Sequence, residues 1–136
     1  MVLLLLSVAL ATGPLAAQKP LTASKAWVKA TAAGETSTTA FVVVENPTMY
    51  DVYVMSAQTD AAGSVKFQRA PTSPSAKPEP LEQLTAPAYD SIELKPDGVH
   101  MLLSDLKKPL NAGDQVTLFL TTDSGLVIEA IAEVRK

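Results

Sequence analysis

His100 is the only histidine in the chain, and a single imidazole holds a soft metal only with help from neighbouring donors. The thioethers of Met49, Met55 and Met101 are the soft partners on offer for Cu(I). Their spacing restricts them. In a strand, adjacent side chains point to opposite faces and residues two apart share one. His100 can therefore converge on an ion with position 102 but not with Met101, and position 102 is Leu. Met101 is expected in the core with Val99 and Leu103, filling space as methionine does. His100 is left as a weak metal candidate whose expected place is the surface or a partner contact.

Other chemistries find still less support. With no cysteine, these residues form no disulfide, no thiolate nucleophile, no lipidated cysteine and no blue-copper centre, which needs a thiolate ligand. A serine nucleophile needs a base, and His100 follows Gly98 with no nucleophile-elbow pattern around it. Asp97, Asp105 and Asp114 stand beside turn residues, where aspartate bonds local backbone, and their spacing is not that of a calcium loop. The expectation is a protein without catalytic or cofactor-binding residues and not an enzyme. Trp27 and Tyr50 are candidate partner contacts at the rim of the domain, with core packing as the other reading. So are Pro74 and Pro78, in a proline-rich strip from Pro71 to Pro80 that reads either as a docking strip or as a stiff surface loop.

These residues must be positioned by a single domain, since 136 residues are enough for one core and too few for two. The net charge of −3 is dispersed, which favours neither nucleic acid nor an anionic lipid surface. Residues 1–17 are almost wholly apolar up to Ala11 and end on small residues, the pattern of a signal peptide or a membrane anchor. Residues 18–24 read as a linker and residues 25–136 as the folded domain. Short β-rich runs follow one another there: Ala26 to Thr31, Thr39 to Glu45, Val52 to Ala57, Val65 with Phe67, Ser91 to Lys95 and Val99 to Leu103. Val116, Leu118 and Leu120 then alternate, and after Asp123-Ser124-Gly125 so do Ile128, Ala130, Ala132 and Val134, as in a hairpin. With no crossover helix, the expected fold is an all-β, antiparallel Greek-key β-sandwich of immunoglobulin-like or cupredoxin-like type.

The stretch from Ser91 to Leu120, SIELKPDGVHMLLSDLKKPLNAGDQVTLFL, resembles the periplasmic copper-chaperone family of the PCuAC type. Its turn Lys95-Pro96-Asp97-Gly98, histidine strand, Leu106-Lys107-Lys108-Pro109-Leu110 and Gly113-Asp114 occur in the family's order, and weaker similarity runs from Lys25 to Val134. The resemblance implies a cupredoxin-like β-sandwich. It also implies copper ligands that are mostly missing. The family uses a first His, a middle Met and then a His-x-Met pair. Here the corresponding positions are Gln68, a residue near Pro78, His100 and Leu102.

A sandwich that keeps its core without its ligands is expected to serve as an extracytoplasmic binding or structural subunit. Its expected partners are proteins of a larger membrane complex, such as a respiratory or photosynthetic electron-transport assembly. Residues 1–17 are expected to tether it to the membrane if they are not cleaved. The alternative is a divergent copper chaperone or carrier, with copper(I) held by His100 and methionines.

Overall fold

Alternation of apolar and polar residues sets most of the strands. β9 (Gln115–Thr122) buries Val116, Leu118, Leu120 and Thr122, and β10 (Val127–Arg135) buries Ile128, Ala130, Ala132 and Val134, with solvent-facing residues between. The intervening turn closes where Gly125 adopts φ 85°, a conformation that glycine takes without a Cβ clash. The computed structural model describes residues 21–136, and its other strands are β1 (Thr22–Lys29), β2 (Thr38–Asn46), β3 (Val52–Gln58), β4 (Ala62–Arg69), β5 (Glu79–Leu81), β6 (Leu84–Ala86), β7 (Asp90–Glu93) and β8 (Val99–Leu106). No helix occurs among the described residues.

The strands hydrogen-bond in the order β5-β4-β8-β2-β1-β10-β9-β3-β6, with β7 on the free half of β2. β3 and β4 lie near opposite ends of this path yet are joined by a short turn, so the sheet curls almost closed into a β-sandwich. Val28, Ala40, Val44, Val54, Met101, Leu103, Leu118, Leu120 and Ala132 are fully buried inside it. Each such Val, Leu or Met contributes about 1.5–3 kcal/mol by leaving water.

The all-β sandwich expected from the sequence is the fold observed, and the structure departs from the expectation in three particulars. Every pairing is antiparallel except β1 with β10, which run parallel through Trp27 and Glu133, Val28 and Val134, and Lys29 and Arg135. The stretch read as a linker, 18–24, overlaps β1: Leu21 is buried, and Thr22, Ala23 and Ser24 pair with Glu45, Val44 and Val43. A bulge between Ser24 and Trp27, with Lys25 at φ 52°, breaks the alternation there and hides the strand from a period-two search. The signal or anchor segment, 1–17, lies outside the described residues. Asp105 does not cap a turn. It sits within β8 at φ 56°, above Gly63, where an added Cβ would come within 2.9 Å of the Asp105 Cβ. The strands can approach so closely only because position 63 lacks a side chain.

The turn Asn46-Pro47-Thr48 is built around a buried amide. Asn46 is 1% exposed; its Nδ2 donates to the carbonyls of Tyr50 at 2.7 Å and Ala86 at 2.8 Å. Its Oδ1 accepts from the Thr48 amide at 3.0 Å and the Thr48 hydroxyl at 2.6 Å. A second clamp holds the facing β6–β7 loop, where Ala88 N–H donates to Asp51 Oδ1 at 2.9 Å and Tyr89 N–H to the Thr48 carbonyl at 3.0 Å.

Candidate metal centre

His100 lies on the face of β8 turned away from the core, whereas its neighbours Met101 and Leu103 are fully buried on the core side. Across the ladder it stands opposite Gln68 of β4. On its other side β2 pairs Ala40 with Met101, which places Phe41 beside His100, their ring centroids 6.2 Å apart. Phe41 in turn packs on Trp27 of β1 at 4.4 Å. A row Gln68, His100, Phe41, Trp27 therefore crosses four strands on one face, with Leu102 two residues along from His100 and opposite Lys66 and Thr39.

His100 was expected at the surface or in a partner contact, and the structure corrects this: it is 6% exposed within the domain itself. The cause is tertiary. Gln68 and Phe41 flank the ring in the sheet, and the chain returning from β7 through Lys95 to Gly98 brings a carbonyl against it. Both ring nitrogens are engaged, Nε2 with Gln68 Nε2 at 2.8 Å and Nδ1 with the Gly98 carbonyl at 3.2 Å. A carbonyl oxygen only accepts, so Nδ1 carries the proton; Nε2 of the neutral ring then accepts from the Gln68 amide N–H. The nitrogen lone pair that would face a metal is occupied by that amide.

No thioether replaces it. Met101 points into the core. Met49 follows Asn46, which is five residues beyond Phe41 along β2, or about 16 Å at strand rise, and Met55 lies on β3, which pairs with β9 and β6 and not with β8. Both side chains are exposed, Met49 at 59% and Met55 at 45%. Among the described residues no group of three or more His, Cys, Asp or Glu converges on a common point. The donor set here does not fit copper(I): one imidazole, already capped, beside an amide and a leucine. Pro80 of β5 stands opposite Gln68, and no Met or His occurs near Pro78, the position matched to the middle Met.

The partner-contact candidates are dispersed. Trp27 is half-buried in mid-strand against Phe41, not at the rim, because the outward face of β1 is covered there. Tyr50 is 68% exposed in the β2–β3 loop, and Pro74 and Pro78 are exposed in the segment leading to β5. Both prolines precede the edge strand β5, which pairs only with β4.

A family model described as "Putative lipoprotein LpqE-like" matches residues 21–134, nearly all of the described domain. The chain belongs to the LpqE-like family. A protein of Leifsonia xyli subsp. xyli (strain CTCB07) described as "Putative lipoprotein Lxx21020" is 36% identical over 104 residues; the match covers 75% of this chain but only 61% of that protein. The fold is that of PCuAC domains. The copper-bound PCuAC domain from PmoF2 superposes with a TM-score of 0.75 at 19% identity, covering 88% of this chain and 95% of that one. The solution structure of CuI-DR1885 from Deinococcus radiodurans gives a TM-score of 0.71 at 28% identity over 89% of this chain and 82% of its own. This chain thus has a PCuAC-type domain, in agreement with the resemblance in residues 91–120.

Because His100 is buried and bonded at both nitrogens, His100→Ala should lower stability by about 1–3 kcal/mol, the usual cost of a buried polar side chain whose partners lose it. Urea denaturation of both proteins measures this. A change below about 0.5 kcal/mol would show that the ring contributes nothing to the fold.

Proposed function

We propose that this chain is a non-catalytic, extracytoplasmic binding module: a PCuAC-type domain in which the copper site has been reduced to one hydrogen-bonded imidazole and whose ligand is a protein. The observation that carries this reading is the Gln68 amide donating to His100 Nε2 at 2.8 Å. A cross-strand pair that would hold a metal between two imidazoles instead closes on itself. The lipoprotein descriptions of the relatives support a place outside the cytoplasm, and the apolar residues 1–17 support a membrane tether. No cysteine is available in these residues to carry a lipid.

The copper-carrier reading draws on the copper-bound titles of the PmoF2 and DR1885 structures. It requires a second soft donor at His100, and neither Met49 nor Met55 is placed to provide one.

Titration of the purified protein with Cu(I) against a colorimetric Cu(I) chelator separates the two. The expected result is that the chelator keeps the metal and that His100→Ala gives the same copper titration as wild type. Uptake of one equivalent, lost in His100→Ala, would overturn the proposal.

A further inference from the structure

The two most exposed large apolar side chains of the domain, Tyr89 at 72% and Tyr50 at 68%, lie together with Met49 at 59% on the loops that close one end of the sandwich. These loops are not slack. Asn46 ties the first loop to β6, and Asp51 and Thr48 receive the amides of Ala88 and Tyr89 from the second. Aromatic groups presented by a pre-ordered backbone lose little entropy on binding and are the usual anchors of protein contacts.

The charge around them selects the partner. From Glu45 to Val65 and from Glu82 to Leu94 the chain has no Lys or Arg, while Glu45, Asp51 and Asp90 are all exposed at this end. Glu45, Pro47, Tyr89 and Asp90 line a shallow recess of about 390 Å³. One oxygen of Asp90 accepts from the Ser91 amide at 2.8 Å, and Glu45 takes part in no salt bridge among the described residues. Two carboxylates beside a tyrosine ring and a proline form a receptor for a guanidinium or ammonium group, which gains from the charges and from the ring face together. An anionic lipid surface would be repelled by the same carboxylates.

We propose that this tip docks an extended, basic segment of a partner protein, with an Arg or Lys side chain in the Glu45–Asp90 recess and apolar flanks against Met49 and Tyr50. The recess at Glu45 lies about 13 Å along β2 from His100 and is independent of it. It rests on the reading of the chain as a protein-binding module and names the partner's chemistry.

The test titrates the ¹⁵N-labelled full chain with a decapeptide of alternating Arg and Gly, and with its Glu-Gly counterpart. Saturable shifts confined to residues 45–51 and 88–91, absent with the Glu peptide, are expected. Glu45→Gln/Asp90→Asn should weaken binding at least about tenfold. Both substitutions are at exposed positions and keep an acceptor at Asp90, and a thermal melt confirms that the double variant is folded. Shifts that follow every exposed carboxylate, Glu129 and Glu133 included, and persist in the double variant would overturn the site as non-specific charge attraction. Attachment to phosphatidylcholine vesicles that is lost in Tyr50→Ser/Tyr89→Ser but kept in the charge variant would overturn it in favour of a lipid surface. Tight copper uptake at His100 with an intact peptide response would overturn the loss of the metal site while supporting the tip.

Discussion

Asn46→Ala should lower the stability of the domain by about 2–4 kcal/mol and its melting temperature by roughly 10 °C or more. The cost is set by what the side chain leaves behind. Ala86 is fully buried, and its carbonyl receives the Asn46 amide at 2.8 Å; once that donor is gone, water has no route to the oxygen. An unsatisfied buried acceptor costs about 1–3 kcal/mol. The Thr48 amide and hydroxyl lose their shared acceptor as well, although water reaches them more easily. Asn46→Asp is the informative companion. It keeps the acceptor for Thr48 but removes both N–H donors and points a charge at two carbonyls, so it should be at least as damaging as alanine. A loss under about 1 kcal/mol for either variant, measured by chemical denaturation, would show that the turn re-forms without the amide. Because the same residue ties the β2–β3 loop to β6, both variants should also weaken the basic-peptide response of the tip.

Where one face of a strand was clean, the sequence was readable. β9 and β10 bury every second residue across their seventeen positions, so their inward set follows from period two and their hairpin from the Asp123-Ser124-Gly125 turn between them. The limits have identifiable causes. Alternation reports which face is buried and not which strand is the neighbour, so the parallel pairing of β1 with β10 had no local signal. The Lys25 bulge shifted the phase of β1, and Leu84 to Ala86 is too short, just after the proline strip, to stand out as β6.

The site divides in the same way. That Met101 and His100 point to opposite faces follows from their adjacency. Gln68 as the cross-strand partner of His100 came through the family resemblance, and the β4–β8 register places it there. That His100 is buried could not be read from β8 itself, because its cover comes from Phe41, Gln68 and the Gly98 carbonyl, which belong to other parts of the chain. Asn46 had a signal, Asn-Pro-Thr, but a turn asparagine is ordinarily solvated, and only the approach of β6 turns it into a buried clamp.

The geometry around His100 also predicts a gain of function. Gln68→His/Leu102→Met should convert the chain into a Cu(I)-binding protein, with affinity raised by at least about a hundredfold, or roughly 2.8 kcal/mol. Gln68 already stands opposite His100 with its side-chain nitrogen 2.8 Å away, so an imidazole there needs little backbone movement to bring a second nitrogen to the same point. Leu102 shares the outward face with His100 and is only half-buried, leaving room for an unbranched thioether of similar volume. Two imidazoles and a thioether form a soft donor set of the kind that selects Cu(I). The Gly98 carbonyl would continue to accept from His100 Nδ1, holding Nε2 toward the metal as an outer partner does for a metal-bound histidine. The single variants separate the contributions: Leu102→Met alone should bind weakly because Gln68 still caps the imidazole, and Gln68→His alone should bind more tightly than that but below the double variant. Competition with a Cu(I) chelator gives the affinities. X-ray absorption would then show nitrogen and sulfur neighbours together. If the double variant folds, yet takes up no more copper than wild type, the face around His100 is not an emptied metal site, and the position of Gln68 opposite it must be explained by packing alone.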